Sequence, residues 1–412
     1  MQNIIFHIDV NSAFLSWTAV EMLKNGAEVD IREIPAIIGG DKESRHGVVL
    51  AKSIPAKRYG VKTGEPVVNA VKKCPNLHME PPDHRMYREY SRRLMEFLHT
   101  YTSDIEQVSV DECFMDFTGI AWKYPSPIDA ALEMKQKVYE TFGFTVNIGI
   151  SSNKLLAKMA SDFEKPNRVH TLFPEEIREK MWPLPVGDLY MAGKSSVDVL
   201  HKLEIYTIGD LAKTSPELLE LHLKSHGRTL WEFANGIGDA KLQLEDRVAK
   251  GIGNSVTLAR DVTKEEEAKK VLLTLAEKVG ERLRKAGQKA GMVSVEIRYS
   301  DFSNSSHQRQ MIRLTDADSV IYQEACSLFG ELWTGEPIRL LGIRTSKLAE
   351  EDEPEQLTIF DIEPVKHESA LKTKNNEKQQ RLSAALDVIK KRYGEDAVVR
   401  GSQLDTKKTS GL

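Results

Sequence analysis

Ser109-Val110-Asp111-Glu112-Cys113 sets two adjacent acids inside an otherwise apolar run, Val108 to Phe117. Asp9 repeats the pattern: it follows Ile4-Ile5-Phe6-His7-Ile8 and precedes Val10. Burying a carboxylate among Val, Phe and Met is costly unless a cation or a donor satisfies it. Three carboxylates on two core strands can hold a pair of hard divalent cations, which prefer oxygen ligands. Two such ions, roughly 3.5–4 Å apart, align an attacking and a leaving oxygen for phosphoryl transfer. Taken singly, each acid has a simpler reading as a turn residue or a salt-bridge partner. The motifs around them decide.

The elements that must position these acids follow from periodicity. Residues 4–10 read as a buried strand, and 12–24 as a helix with Phe14, Trp17, Val20 and Leu23 at helical spacing, stopped by Asn25-Gly26. Gly39-Gly40 reads as a turn and 47–50 as a short strand. Short helices are expected over 53–59, carrying Lys57 and Arg58 and closed by Gly60, and over 66–73. A longer one, 87–100, buries Tyr90, Leu94, Phe97 and Leu98. A strand around Val108 and Val110, a turn at Asp111-Glu112 and a returning strand 113–117 follow. Then come a helix 127–142, a strand 145–150, a helix to about 163 capped by Ser151 or Ser152, and a strand 169–173. The order β-α…α-ββ-α-β is that of a ferredoxin-like unit with a small insertion after its first helix.

Pro174, Pro183 and Pro185 mark a boundary. The short helical block after it contains Met191-Ala192-Gly193-Lys194-Ser195 and Tyr206-Thr207-Ile208-Gly209-Asp210-Leu211. That spacing suits a helix-hairpin-helix, whose turn aims backbone N–H groups at a nucleic-acid phosphate. An ordinary helical hairpin with a glycine cap has the same spacing. From about residue 250 a second β-α-β-β-α-β pattern runs through strand 255–260, helix 264–286, strands 293–302 and 308–314, helix 319–332 and strand 338–346. Its alternation around Arg298, Arg309 and Arg313 would give one sheet face to helices and present Arg and polar groups on the other. A solvated face reads the same way. The tail holds Gln356-Leu357-Thr358-Ile359-Phe360 and a helical pattern over 379–393, stopped by Gly394.

Composition bounds these readings. A chain of 412 residues exceeds one hydrophobic core, so several domains are expected. It is 41% hydrophobic and 29% charged, ordinary values for a soluble globular protein. No apolar run approaches the roughly 20 residues that span a bilayer, and no signal peptide is visible. The three cysteines, Cys74, Cys113 and Cys326, are too scattered for a disulfide framework or a zinc site, so a cytoplasmic location is expected. A net charge of −4 argues against a uniformly basic nucleic-acid binder, yet Glu350 to Glu363 alone contributes seven negative charges, and without it the chain is +3.

With these motifs in order, the chain resembles Y-family translesion DNA polymerases of the bacterial DNA polymerase IV/V group. The resemblance rests on His7-Ile8-Asp9, Ser-x-Asp-Glu at 109–112, Pro55 to Lys62 (Pro-Ala-Lys-Arg-Tyr-Gly-Val-Lys), Ala157-Lys158-Met159-Ala160-Ser161-Asp162 and Lys165-Pro166-Asn167. It implies an α+β multidomain protein: a ferredoxin-like palm (1–10 and 75–174), fingers (11–74), a helix-hairpin-helix thumb (175–240), a second ferredoxin-like little finger (250–347) and a tail (348–412). It implies a low-fidelity, template-directed polymerase acting on primer-template DNA and deoxynucleoside triphosphates as a monomer. Asp9, Asp111 and Glu112, with the Val10 carbonyl, would ligate two Mg2+ ions. Lys165, and Lys57 or Arg58, would contact the incoming triphosphate. Phe14 would be the steric gate against a 2′-hydroxyl. Gly193, Lys194, Arg298 and Arg309 would touch DNA. Gln356, Leu357, Ile359 and Phe360 look like a sliding-clamp (beta subunit) binding peptide, or a tail strand packed on its own domain.

Several positions depart from the family pattern. Asn11 stands where many relatives carry a second Asp. Ile54 stands for a usual Tyr, Lys57 for a usual Arg, Met191 for the first Gly of the hairpin turn, and Leu50 for a smaller residue. At positions 54 and 57 a donor is lost and a planar fork becomes a point charge, which predicts weaker nucleotide affinity or compensation by Arg58. The alternatives are a polymerase-like DNA-binding or regulatory protein with weakened catalysis, and a nucleotidyl cyclase. The three retained carboxylates argue against the first. The hairpin and the third block have no part in the second.

Overall fold

The computed structural model describes residues 3–40, 47–245, 249–350 and scattered positions from 382 to 398. Two compact units divide the chain, 1–246 and 247–412.

In the first unit β1 (Ile5–Val10) leads into α1 (Ala13–Lys24). The chain then forms β2 (Ala36–Gly39), β3 (Val49–Lys52), α2 (Ile54–Arg58), α3 (Val67–Lys73) and β4 (His78–Glu80). These strands make a separate sheet of order β3-β2-β4. Gly39 therefore ends a strand instead of turning with Gly40, and the small sheet runs past residue 74. Strands of three or four residues hold too few alternations to be seen as periodic.

The chain returns through α4 (His84–Leu98), β5 (Ile105–Gln107), β6 (Glu112–Asp116), α5 (Pro127–Phe142), β7 (Val146–Ser151), α6 (Lys154–Asp162) and β8 (Val169–Thr171). The sheet order is β5-β6-β1-β7-β8. β1 lies antiparallel between β6 and β7, the ferredoxin-like arrangement, and β8 adds in parallel at the edge. Two expectations move. The strand placed around Val108 and Val110 ends earlier, at Gln107; Val108 is exposed, and Glu112 opens β6. Neither Ser151 nor Ser152 caps α6: Ser151 is still in β7, and Asn153 Oδ1 accepts from Leu156 N at 2.9 Å.

The two faces of this sheet differ in kind. Phe6, Ile8, Cys113, Met115 and Ile148 pack with residues of α1, α4 and α5 in an apolar core. The opposite face carries His7, Asp9, Glu112 and Asn147, with α6 lying over it. Gly149 makes that approach possible: a Cβ there would sit 1.9 Å from Ala157 O and 2.5 Å from Ser161 N. After β8 come α7 (Lys194–Lys202), α8 (Ile208–Lys213), α9 (Pro216–Leu223) and α10 (Ser225–Ala234). Their core of Leu200, Leu211, Leu219 and Leu230 takes in Leu156 and Met159 from α6.

The second unit is β9 (Gly251–Val262), α11 (Glu265–Lys285), β10 (Gln288–Tyr299), β11 (Asn304–Thr315), α12 (Asp318–Leu332) and β12 (Ile338–Glu350). The element sequence is the expected one, but the strand order, β11-β10-β12-β9, is not ferredoxin-like. In that fold the first and third strands of the motif are central neighbours; here the second and fourth are, β10 beside β12. Sequence order alone does not choose between the two. Val293, Val295 and Ile297 pack on α11 and α12 through Leu272, Val279 and Leu328. The clamp-like peptide, Gln356, Leu357, Ile359 and Phe360, lies outside the described residues. So does much of 379–393, although its described positions, such as Leu386 and Ile389, are helical. No helix among the described residues is long and apolar enough to cross a membrane.

Candidate active site

The last residues of β1 bring the acids together. Asp9 stands opposite Glu112 in the β1–β6 register, and Val10 N donates to Asp111 O at 3.0 Å, tying the turn before β6 to the end of β1. Ser109 Oγ donates to Asp111 Oδ1 at 2.5 Å, so the Ser-x-Asp spacing fixes the carboxylate it precedes. Asp9 and Glu112 thus share one sheet face, and Asp111 sits in the turn at its end, near enough for its charge to raise the Asp9 pKa.

Three cations or donors answer them. Lys165 Nζ ion-pairs with Asp9 Oδ2, and with Asp162 at 2.8 Å. Lys158 Nζ, from α6, lies 2.6 Å from Glu112 Oε2. His7 Nε2 is 3.3 Å from the same oxygen, while its Nδ1 is 2.7 Å from Ser161 Oγ. His7 and Lys158 together hold the Glu112 carboxyl down at about 2 against the opposing effect of burial. The His7 contact is off-line for a hydrogen bond, so Lys158 has the firmer grip. Burial keeps the His7 imidazole below its ordinary pKa.

Asp9 is different. Burial pushes its carboxyl pKa up, and Lys165 offsets that only in part. The lysine ammonium is itself raised: burial pulls it down, and Asp9 and Asp162 more than compensate. A carboxylate that one lysine leaves undersatisfied, with two more close by, is a hard-oxygen donor set suited to divalent cations. Among the described residues no three acidic, His or Cys side chains are already drawn into a metal-holding cluster; lysines occupy the carboxylates instead. The residues present fit the ions in type and location, and ion binding would require the ammonium groups to turn away.

Around this centre, Phe14 lies in the first turn of α1, stacked on Tyr87 with centroids 4.4 Å apart and planes 12° from parallel. His84 meets its edge at 6.1 Å. Tyr87 is held by Thr18, whose Oγ1 is 3.1 Å from its hydroxyl. Lys57 and Arg58 are exposed on α2, and Ile54 is exposed at its start. Lys52, which sequence reasoning passed over, lies close enough to Lys57 that the ammonium repulsion adds to burial in lowering its pKa.

In the helical block, Gly193 caps α7 and Lys194 is exposed, with open space around the glycine. Met191 takes φ +71° beside it without a glycine's freedom. The second motif is capped by Thr207 and Asp210 and packs under Trp182. Tyr190 connects this block to the acids: Lys158 Nζ sits 5.5 Å from its ring centroid.

In the second unit Arg298 lies on the open sheet face, bonded to Asn304 Oδ1 at 2.8 Å. Its neighbours there include the small Gly253, Ser255, Ser294 and Gly342 and the longer Glu296, Gln308 and Arg344. Arg309 corrects an expectation. It pairs with Val293, on the helix side, and its guanidinium is spent on Glu324 at 2.6 Å and Glu331 at 2.5 Å. It does not share a face with Arg298.

His7, Lys158, Ser161, Asn11 and Asn147 are the working neighbours that sequence reasoning assigned no role at the centre. One signal was available: His7 and Asn147 are polar residues inside apolar strands, the same anomaly that exposed Asp9.

Known proteins resemble this chain along its length. Residues 8–162 match the impB/mucB/samB family and 249–359 its C-terminal domain. A DNA polymerase IV of Clostridium acetobutylicum is 46% identical over 98% of this chain and 99% of its own. One from Alkaliphilus oremlandii is 35% identical, over 98% of this chain and 99% of its own. DNA polymerase IV 1 of Bacillus subtilis is 34% identical over 99% of this chain and 95% of its own. A solved Y-family DNA polymerase chimera of Dbh and Dpo4 shares the fold with a TM-score of 0.72 at 22% identity, covering 84% of this chain and all of that one. Similarity that runs the length of the chain, over a sheet end where three acids converge, leads to one assignment: this chain belongs to the Y family of DNA polymerases.

Proposed function

We propose that the chain adds deoxynucleotides to a primer 3′ end across damaged template, at low fidelity, with Asp9, Asp111 and Glu112 as the catalytic carboxylates. The observation that carries this is the register of Asp9 with Glu112, with Asp111 tied to Val10. These three side chains and the Val10 carbonyl would hold two Mg2+ ions. Bound there, the ions lower the pKa of the primer 3′-hydroxyl and neutralise charge on the leaving pyrophosphate.

The chain's own residues do the rest. His7 and Lys158 keep Glu112 ionised. Lys165, on releasing Asp9, supplies positive charge to the triphosphate, and Lys57 or Arg58 does so from α2. Phe14, braced by Tyr87, presents a flat ring where a ribose 2′-hydroxyl would collide. The N-terminus of α7, with Gly193 and Lys194, offers N–H groups and a cation to a DNA phosphate, and the open face bearing Arg298 offers a second contact. In family terms, the five-stranded sheet is the palm, the small sheet with α2 and α3 the fingers, α7 to α10 the thumb and the second unit the little finger. The peptide 356–360 would tether the enzyme to a sliding clamp, raising its effective concentration at the primer end.

The test is primer extension with Mg2+ on undamaged and lesion-containing templates. Wild-type protein should extend the primer, and Asp111→Ala/Glu112→Ala should not. Extension that persists in the double variant would overturn the assignment of these carboxylates.

A further inference from the structure

Lys165 reaches Asp9 from a loop, 164–168, that has no regular structure of its own. Something must hold that loop, and two buried amides do. Asn147 is fully buried and stands opposite Asp9 in the β1–β7 register. Its Nδ2 donates to Ser161 O at 2.9 Å and Glu164 O at 2.7 Å. Its Oδ1 accepts from Arg168 N and from Asn11 Nδ2, each at 3.1 Å. Asn11, 7% exposed, accepts on Oδ1 from Asn167 N at 2.8 Å and Thr145 Oγ1 at 2.9 Å.

The backbone partners fix both amide orientations. Two carbonyls face Asn147 Nδ2, so its oxygen must face Arg168 N–H, and Asn11 must then present its NH2 to that oxygen. Neither amide can flip without setting acceptor against acceptor. An Asp at position 11 would keep the acceptors for Thr145 and Asn167 but could not donate to Asn147. Asn11 is therefore more than a tolerated exchange for a second acid.

We infer that Asn11 and Asn147 are positioning residues: a two-amide clasp that holds the 164–168 loop and so sets Lys165 at the carboxylate centre. The part concerning nucleotide rests on the proposed role of Lys165. Lys135 Nζ also reaches Asn167 O, at 3.0 Å, but from an exposed position, where such contacts add little.

The test has two readouts. The first is amide hydrogen exchange in the full-length chain without metal, nucleotide or DNA, resolved at 167 and 168. Asn11→Ala removes the acceptor of Asn167 N–H and should speed its exchange about tenfold; at Arg168, whose acceptor Asn147 Oδ1 remains but loses its orienting donor, the increase should be smaller. Asn11→Asp, a second variant should Asn11→Ala not fold, should speed it at Arg168 more than at Asn167. Thr145→Val, which loses a hydroxyl on the side of Asn11 away from the loop, should leave both near wild type. The second readout is single-nucleotide insertion. Asn11→Ala should raise the nucleotide KM about tenfold with kcat nearly unchanged, and should add nothing in a Lys165→Ala background. Unchanged exchange in Asn11→Ala would overturn the clasp. Faster exchange with a wild-type KM, while Lys165→Ala raises KM, would overturn its role at the site. A wild-type KM in Lys165→Ala would instead remove Lys165 from the proposed function, and exchange alone would then decide the clasp.

Discussion

The acid face of the five-stranded sheet and the open face of the four-stranded sheet are both polar, and they are built on opposite plans. On the first, the acids and the amide have assigned partners: Asp9 has Lys165, Glu112 has Lys158, Asn147 has Ser161, Glu164 and Arg168. A helix covers that face, so an unpaired group there would lose its water without compensation. On the second, Gly253, Ser255, Ser294 and Gly342 lie among Glu296, Gln308 and Arg344, which are exposed and can be satisfied by water. Covered polarity has to be specified atom by atom, whereas open polarity only has to be soluble. Substitutions should therefore cost much on the first plan, and little, without sequence preference, on the second.

The sharpest test compares one small residue from each face. Gly149→Ala puts a methyl group against Ala157 O, and should destabilise the first unit by about 3 kcal/mol or more in urea unfolding. Ser255→Ala, exposed on the open face, should leave the second unit within about 0.5 kcal/mol of wild type. Equal effects would erase the contrast. Next in size is Phe14→Val: it takes away the ring stacked on Tyr87, and the preference for deoxyribonucleotides over ribonucleotides should fall about 100-fold in competitive insertion.

The exposed residues of α2, Ile54, Lys57 and Arg58, belong to the solvent-facing kind. Ile54→Tyr with Lys57→Arg supplies a hydroxyl and a planar fork, and should lower the nucleotide KM about tenfold. The smallest effect compares two arginines. Arg298→Ala should weaken DNA binding uniformly across sequences and reduce the salt slope by about 1. Arg309→Ala should leave the slope unchanged and lower the melting temperature, since its guanidinium bridges strand and helix.

What the sequence disclosed, and what it hid, follows the same division. Asp9, Asp111 and Glu112 stood out because acids in apolar runs are conspicuous. Helix 127–142 was legible to the residue because Ser126, Pro127 and Gly143 punctuate it. Strand order in the second unit was not, because order depends on contacts between distant segments rather than on local pattern. The face occupied by Arg309 was hidden for a simpler reason. β11 reads Gln308-Arg309-Gln310-Met311-Ile312-Arg313, with so little apolar contrast that the parity of its pairing is invisible. At the start of α6, three successive residues could each cap a helix, and only the length of β7 selects Asn153.

The make-up of the open face bears on how DNA would lie there. Its glycines and serines, Gly253, Ser255, Ser294 and Gly342, alternate with longer side chains, the positive Arg298 and Arg344, the negative Glu296 and the neutral Gln308. With DNA on this face, as proposed, the short residues would let a duplex come close, the arginines would attract its phosphates and Glu296 would repel them. The path of the backbone would then be set by how opposite charges are spaced along neighbouring strands.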